Sequence, residues 1–195
     1  MAILYDHVRR EGEMEGPSTP TPLKRFFGQT IRRSFGDLKI RDETAAEYLA
    51  DLLTRFTRTD VLYPLSPTGK RLETVAECLL EVQQVWEFES PHFDPVQERE
   101  LRRHIGDYTL FMTGLFRERV EGMSVTGYYI FEGKRAYRFV PEHDRASSRP
   151  YAGLFEALAD RFEGFAGALA YMRKVYFRPE FAPLHPFFNR LITEW

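Results

Sequence analysis

At 195 residues, 43% hydrophobic and 15% aromatic, the chain can bury a sizeable core, which argues against a wholly disordered chain and for a heavily aromatic interior. Its 27 basic and 29 acidic residues leave a net charge of -2, so there is no overall electrostatic footprint for nucleic acid. The single cysteine, Cys78, excludes a disulfide framework or a cysteine-based zinc site within the chain.

The opening MAILYDHVRREGEMEG lacks a basic segment followed by a long apolar one, and no apolar run nears the roughly 18 residues of a membrane span. The expectation is a soluble, cytoplasmic protein. Residues 1–20, rich in glycine, proline and charge, read as a flexible N-terminal tail, and 21–195 as a single helical-bundle domain. Thr21-Pro22 opens a helix in which Leu23, Phe26, Phe27, Thr30 and Ile31 keep helical spacing and Gly36 is the stop. Asp42 caps a second helix with Tyr48, Leu49, Leu52, Leu53 and Phe56 on one face. Pro64, Pro67 and Gly69 make 57–69 a connection. In the helix after it, Leu72, Val75, Leu79, Val82 and Trp86 form one packed seam.

Ser90-Pro91-His92 breaks the chain. Asp94-Pro95-Val96-Gln97 then combines an aspartate cap, a proline at the first helical position and a glutamine placed to close a capping box. The helix it opens runs through Leu101–Val120 to about Gly122. It is apolar almost all round from His104 to Phe116, the mark of a buried helix. Residues 124–140 read as a helix with Ile130, Tyr137 and Val140 on one side; a short β-hairpin around Glu132-Gly133-Lys134 is the alternative. Pro141 to Pro150 reads as a polar loop. Tyr151 to Phe177 carries a second long apolar pattern, with Gly164 and Ala168 as a small pair one turn apart. Phe187–Glu194 reads as a short final helix, with Trp195 packing where that helix docks. The expected fold is an all-α bundle of about five to seven helices built around two long central ones.

Gly106, Thr109 and Thr113 make a stripe of small side chains, and Gly106 and Gly114 each cost about 1 kcal/mol of helix propensity. That combination predicts a close helix crossing, with Gly164 and Ala168 as the expected partners. His104 and Tyr108 share a face four residues apart, and Asp107 stands three from His104 and four from Arg103. Asp107 can then orient His104 as a general base or ligand. The structural alternative pairs Asp107 with Arg103 at the helix rim and leaves His104 hydrogen-bonded in the core. It carries more weight, because buried polar groups are usually satisfied.

Glu100, His104 and Asp107, or Glu156, Asp160 and Glu163, form ladders at helical spacing. The Glu-x-x-His pairing of carboxylate-bridged metal bundles is nowhere in the chain, so charge ladders of this kind read as solvated faces. Whether a metal binds is left open, and no cofactor is expected. Arg99 and His104, with four residues between them, resemble the arginine–histidine element of HEPN-type ribonucleases. The resemblance covers six residues and implies an all-α dimer in which Arg99 holds a phosphate and His104 moves a proton at a 2′-hydroxyl. Glu100 departs from the polar residue that often follows the arginine there. A phosphate loop and a Gly-x-Ser-x-Gly elbow are both absent, and Cys78 between acidic neighbours is poorly placed as a nucleophile.

Tyr128, Tyr129, Arg135, Tyr137 and Arg138, with Lys134 beside them, interleave bases and aromatics. The first reading is an amphipathic element with half-buried tyrosines and solvated arginines, the next a protein interface, and a stacking surface for nucleic acid comes after these. Nucleic acid is not the expected partner. The leading expectation is therefore a binding or assembly module that meets a protein partner or a second copy of itself. The alternative is an enzyme or ligand-binding protein with a pocket between the long helices, around His104, Asp107 and Tyr108, with Arg99 as a further catalytic residue in the ribonuclease version.

Overall fold

A computed structural model of the chain describes residues 21–66, 69–86, 93–146 and 152–177. The expected N-terminal tail and the short final helix at Phe187–Glu194 lie outside these residues. Within them the protein is all-α: α1 (Pro22–Asp37), α2 (Glu43–Phe56), the single turn α3 (Thr59–Leu62), α4 (Val75–Trp86), α5 (Pro95–Leu115), α6 (Arg117–Gly122), α7 (Thr126–Ala146), α8 (Ala152–Asp160) and α9 (Phe162–Tyr176). The only β-type pairing among them is the isolated Leu65–Arg71 bridge, so the 124–140 stretch holds no hairpin and is helical from Thr126 onward. No helix among the described residues is long and apolar enough to cross a membrane.

Three starts are capped as their sequences dictate. The Thr21, Asp42 and Asp94 side chains accept from the N–H groups of Lys24, Ala45 and both Val96 and Gln97. A fourth cap moves a start. Glu77 accepts from the Glu73 and Thr74 N–H groups while the Thr74 hydroxyl accepts from the Glu77 N–H, a reciprocal capping box. Hence α4 begins at Val75 and not at Leu72, and it turns Val75, Cys78, Val82 and Val85 inward. The expected seam is corrected: Trp86 is 59% exposed, and Leu72 is buried from the preceding loop.

Two expected long helices are interrupted. Phe116 (φ -117°, ψ 37°) separates α5 from α6 and packs its ring on Phe111 at 5.3 Å. Arg161 (φ -109°, ψ 23°) separates α8 from α9, held by an ion pair to Asp42 at 3.1 Å and lying over the Phe165 ring. Conversely, α7 continues through Pro141 where a loop was expected. Its last turns are anchored by buried Val140 and by Asp144, which is 0% exposed. Such tertiary contacts offset the hydrogen bond that proline removes.

At the centre, α5 packs most extensively against α7, with α9 and α4 on its other sides. Glycines set these approaches. A Cβ on Gly106 would stand 2.6 Å from the Tyr137 ring, one on Gly133 would strike Thr109 Oγ1 and the Phe162 ring, and one on Gly114 would stand 2.7 Å from Leu169 Cβ. The close crossing is real, but its partners differ from expectation. Gly106 and Thr109 meet α7, and Gly114 meets α9 at Leu169 and the Ala166 carbonyl. Gly164 is exposed, with nothing near its missing Cβ. The Thr109 and Thr113 hydroxyls donate back to the carbonyls of Ile105 and Thr109, so this crossing buries no unpaired hydroxyl.

Candidate functional site

Because Gly106 has no side chain, the Tyr137 ring lies against the α5 backbone. Its hydroxyl there reaches Asp107, one residue on, donating to Oδ1 at 2.8 Å. From α2 the Tyr48 hydroxyl donates to the same oxygen at 2.6 Å, and Arg55 Nη2 donates to Oδ2 at 3.1 Å. Tyr48 and Arg55 stand seven residues apart and so lie on one stripe of α2. Asp107 is 1% exposed and Tyr137 0%. Three donors from two neighbouring helices therefore converge on one buried carboxylate.

Burial raises both phenols well above their ordinary pKa, and the Asp107 charge adds to it, so both remain protonated donors. Burial acts to lower Arg55, but the carboxylate outweighs it and the net shift is upward. This arrangement is a clamp joining α2, α5 and α7.

The clamp does not include His104. No hydrogen bond joins His104 to Asp107 among the described residues. The half-buried imidazole stacks on Tyr108 at 6.2 Å and lies 5.7 Å from the Phe56 ring. Burial lowers its pKa to about 4; Asp107 opposes that, while Arg55 and Arg103 reinforce it. Tyr108 donates to the Glu73 carbonyl at 3.3 Å, and burial drives its pKa up. Arg103 pairs with Glu100 at 2.9 Å, not with Asp107 at the rim. The sequence-chosen trio thus sits on one helix with its members facing different partners, and neither the groove beside α7 nor the one between α1 and α2 is lined by any of them.

Arg99 belongs to a second buried tie. Its Nε and Nη2 donate to Asp144 Oδ1 and Oδ2 at 2.7 and 2.9 Å, and Nη1 donates to Glu100. This fork fixes α5 to the end of α7 and commits the guanidinium that a phosphate would need. His143 Nδ1 lies 3.9 Å from Asp144 Oδ1, buried and without a hydrogen-bond partner among the described residues. The carboxylate ladders dissolve into ion pairs: Glu100 to Arg99 and Arg103, Glu156 to Arg145, Glu163 to Lys134. Among the described residues no group of three or more His, Cys, Asp or Glu side chains is placed to hold a metal. Cys78 is buried, which pushes its thiol up to about 12 with Glu77 and Glu81 adding to the shift.

The basic–aromatic set divides in two. Tyr137 is consumed by the clamp, and Tyr129 is 9% exposed, 6.2 Å from the Tyr108 ring. Tyr128, Arg135 and Arg138 remain on the surface of α7. Between them lies Phe131, 62% exposed, which the sequence reading passed over. An open groove of ≈ 700 Å³ runs beside this face, lined by Arg102, Ile130, Phe131, Lys134, Arg135 and Phe139 among others. Arg102 caps one wall by lying 4.3 Å from the centre of the Phe139 ring.

No protein-family model, curated protein or solved structure matches this chain.

Proposed function

We propose that the protein is a binding or assembly module that works through the outer face of α7 and performs no chemistry at the His104–Asp107 helix. The observation that carries this reading is the engagement of Asp107. Both its oxygens accept from Tyr48, Tyr137 and Arg55, and among the described residues no hydrogen bond from it orients His104 as a base. The α7 face supports the positive half. It exposes Tyr128, Phe131, Arg135 and Arg138, and large aromatics and arginine are the residues that dominate interface energetics. An exposed phenylalanine ringed by polar groups is a common sign of a contact surface.

The test is to cross-link the protein with formaldehyde in its native host and compare two variants. Phe131→Ala with Arg138→Ala is expected to keep the melting temperature and lose the adduct. His104→Ala is expected to lower stability and keep the adduct in proportion to folded protein. A fully folded His104→Ala protein that loses its cellular activity, while the double variant retains it, would overturn the reading.

A further inference from the structure

Tyr128, Phe131, Arg135 and Arg138 follow one another at intervals of three, four and three residues, so they form one stripe along α7. Tyr128 and Phe131 are 41% and 62% exposed. The Arg135 and Arg138 side chains are 62% and 61% exposed. Gly133 lies on the opposite side of the same helix, against Thr109 and Phe162. The stripe is also symmetric about Gly133: Tyr128 and Arg138 stand five residues to either side, Phe131 and Arg135 two.

From this we propose, resting on the reading of α7 as a contact face, that its occupant is a second copy of this chain. The two copies of α7 cross antiparallel about a two-fold axis level with Gly133. In that arrangement residue 128 of one copy faces 138 of the other, and 131 faces 135. Each aromatic ring therefore meets a guanidinium, and symmetry doubles the two pairs to four contacts. An isologous interface requires this kind of self-complementarity. Guanidinium on an aromatic face is a favoured contact, planar on planar with the charge over the ring.

The two arginines are free to make it. Their nearest carboxylates, Glu132 and Asp160, lie at 3.8 and 3.7 Å, in ion-pair range but beyond hydrogen-bond length. Lys134, by contrast, is held by both Glu163 oxygens at 3.0 Å. Each cation thus has a carboxylate of its own chain nearby, which keeps the face close to neutral. Such a face suits another copy of itself better than a polyanion, which would need uncompensated cations. The paired residues all lie within about 7.5 Å of the crossing point along the helix, so a shallow crossing keeps them in contact.

The test is sedimentation velocity of the full chain over a concentration series, followed by a cysteine register experiment. A reversible dimer is expected, and Phe131→Ala, which removes two of the four contacts, should weaken it by about five- to thirty-fold. For the register, chains carrying Tyr128→Cys and Arg138→Cys are oxidised separately and mixed. Two copies of residue 128 would stand about 15 Å apart along the helices, beyond the roughly 7 Å reach of a disulfide. Only the mixture should cross-link quickly; Cys78, at 4% exposure, stays out of reach. A protein that stays monomeric at about 100 µM, between the micromolar and millimolar ranges of weak association, overturns the proposal, as does a dimer indifferent to Phe131→Ala or equal cross-linking in all three samples. A monomer that still forms a Phe131-dependent adduct with a different protein in the host overturns self-association and leaves the binding role standing. A monomer with no adduct overturns both.

Discussion

Replacing Asp107 by alanine removes the acceptor on which α2, α5 and α7 converge. The Tyr48 and Tyr137 hydroxyls lose the carboxylate oxygen they share, and Arg55 loses its ion-pair carboxylate. A buried donor left unsatisfied costs about 1–3 kcal/mol, and stripping one member from a buried ion pair costs about 3–5 kcal/mol. These costs overlap. The Arg55 side chain is 35% exposed, so water takes over part of its charge. A net loss of about 4 kcal/mol follows. For a chain of this size that lowers the melting temperature by about 8–16 °C. Asp107→Asn keeps one acceptor oxygen and should lose about half as much. Tyr48→Phe and Tyr137→Phe should each cost about 1 kcal/mol. Both hydroxyls share Oδ1, so a double-mutant cycle should show coupling between them. Urea titration with matched thermal melts measures these four variants and the Tyr48→Phe/Tyr137→Phe double. An Asp107→Ala protein melting within about 2 °C of the unmodified chain would refute the clamp.

Three further expectations follow. Gly133→Ala forces a Cβ into Thr109 and Phe162 and should cost about 1–3 kcal/mol, whereas Gly164→Ala, with nothing within 4 Å, should be neutral or stabilise by up to about 1 kcal/mol; urea midpoints in the reverse order would contradict the packing. His104 is held at about 4 in the fold against 6.5 unfolded, so between those values the unfolded chain binds the extra proton. Its contribution is complete above the unfolded value and is lost as pH falls toward the folded one, by up to about 3 kcal/mol. His104→Ala should flatten that slope, and an unchanged slope would remove the assignment. Arg99→Ala breaks the fork to Asp144 and should destabilise by about 3–5 kcal/mol, with labelled RNA left uncut by either protein; cleavage by the unmodified chain that a folded Arg99→Ala variant lacks would restore the ribonuclease reading.

The parts of the fold legible in the sequence are those set by near neighbours. Thr21, Asp42 and Asp94 announce their helices because a cap is a contact over two or three residues. The Thr74–Glu77 box was equally local and equally readable, but a cap fixes where a helix starts and not which face turns inward, so Trp86 on the surface was not legible from it. What periodicity cannot show is which helix meets which. Asp107 takes its partners from 59, 52 and 30 residues away, so its own helix suggested only His104 and Arg103. The faint signal was Tyr48 and Arg55 on one stripe of α2, a polar pair on an apolar face. The helix breaks at Phe116 and Arg161 are set by ring packing and a long-range ion pair, and neither carries a glycine or proline to mark it. Phe131 was visible once 124–140 is helical, because it falls between Tyr128 and Arg135 on their stripe.

The most direct test of the contact-face role is a photoreactive residue placed at position 131 and, in a second protein, at exposed position 164, each irradiated in the native host. A discrete adduct from 131 and none from 164 is the predicted result, and an adduct of twice the chain mass assigns the partner as a second copy. No adduct from 131, or equal adducts from both positions, would contradict a binding function for α7.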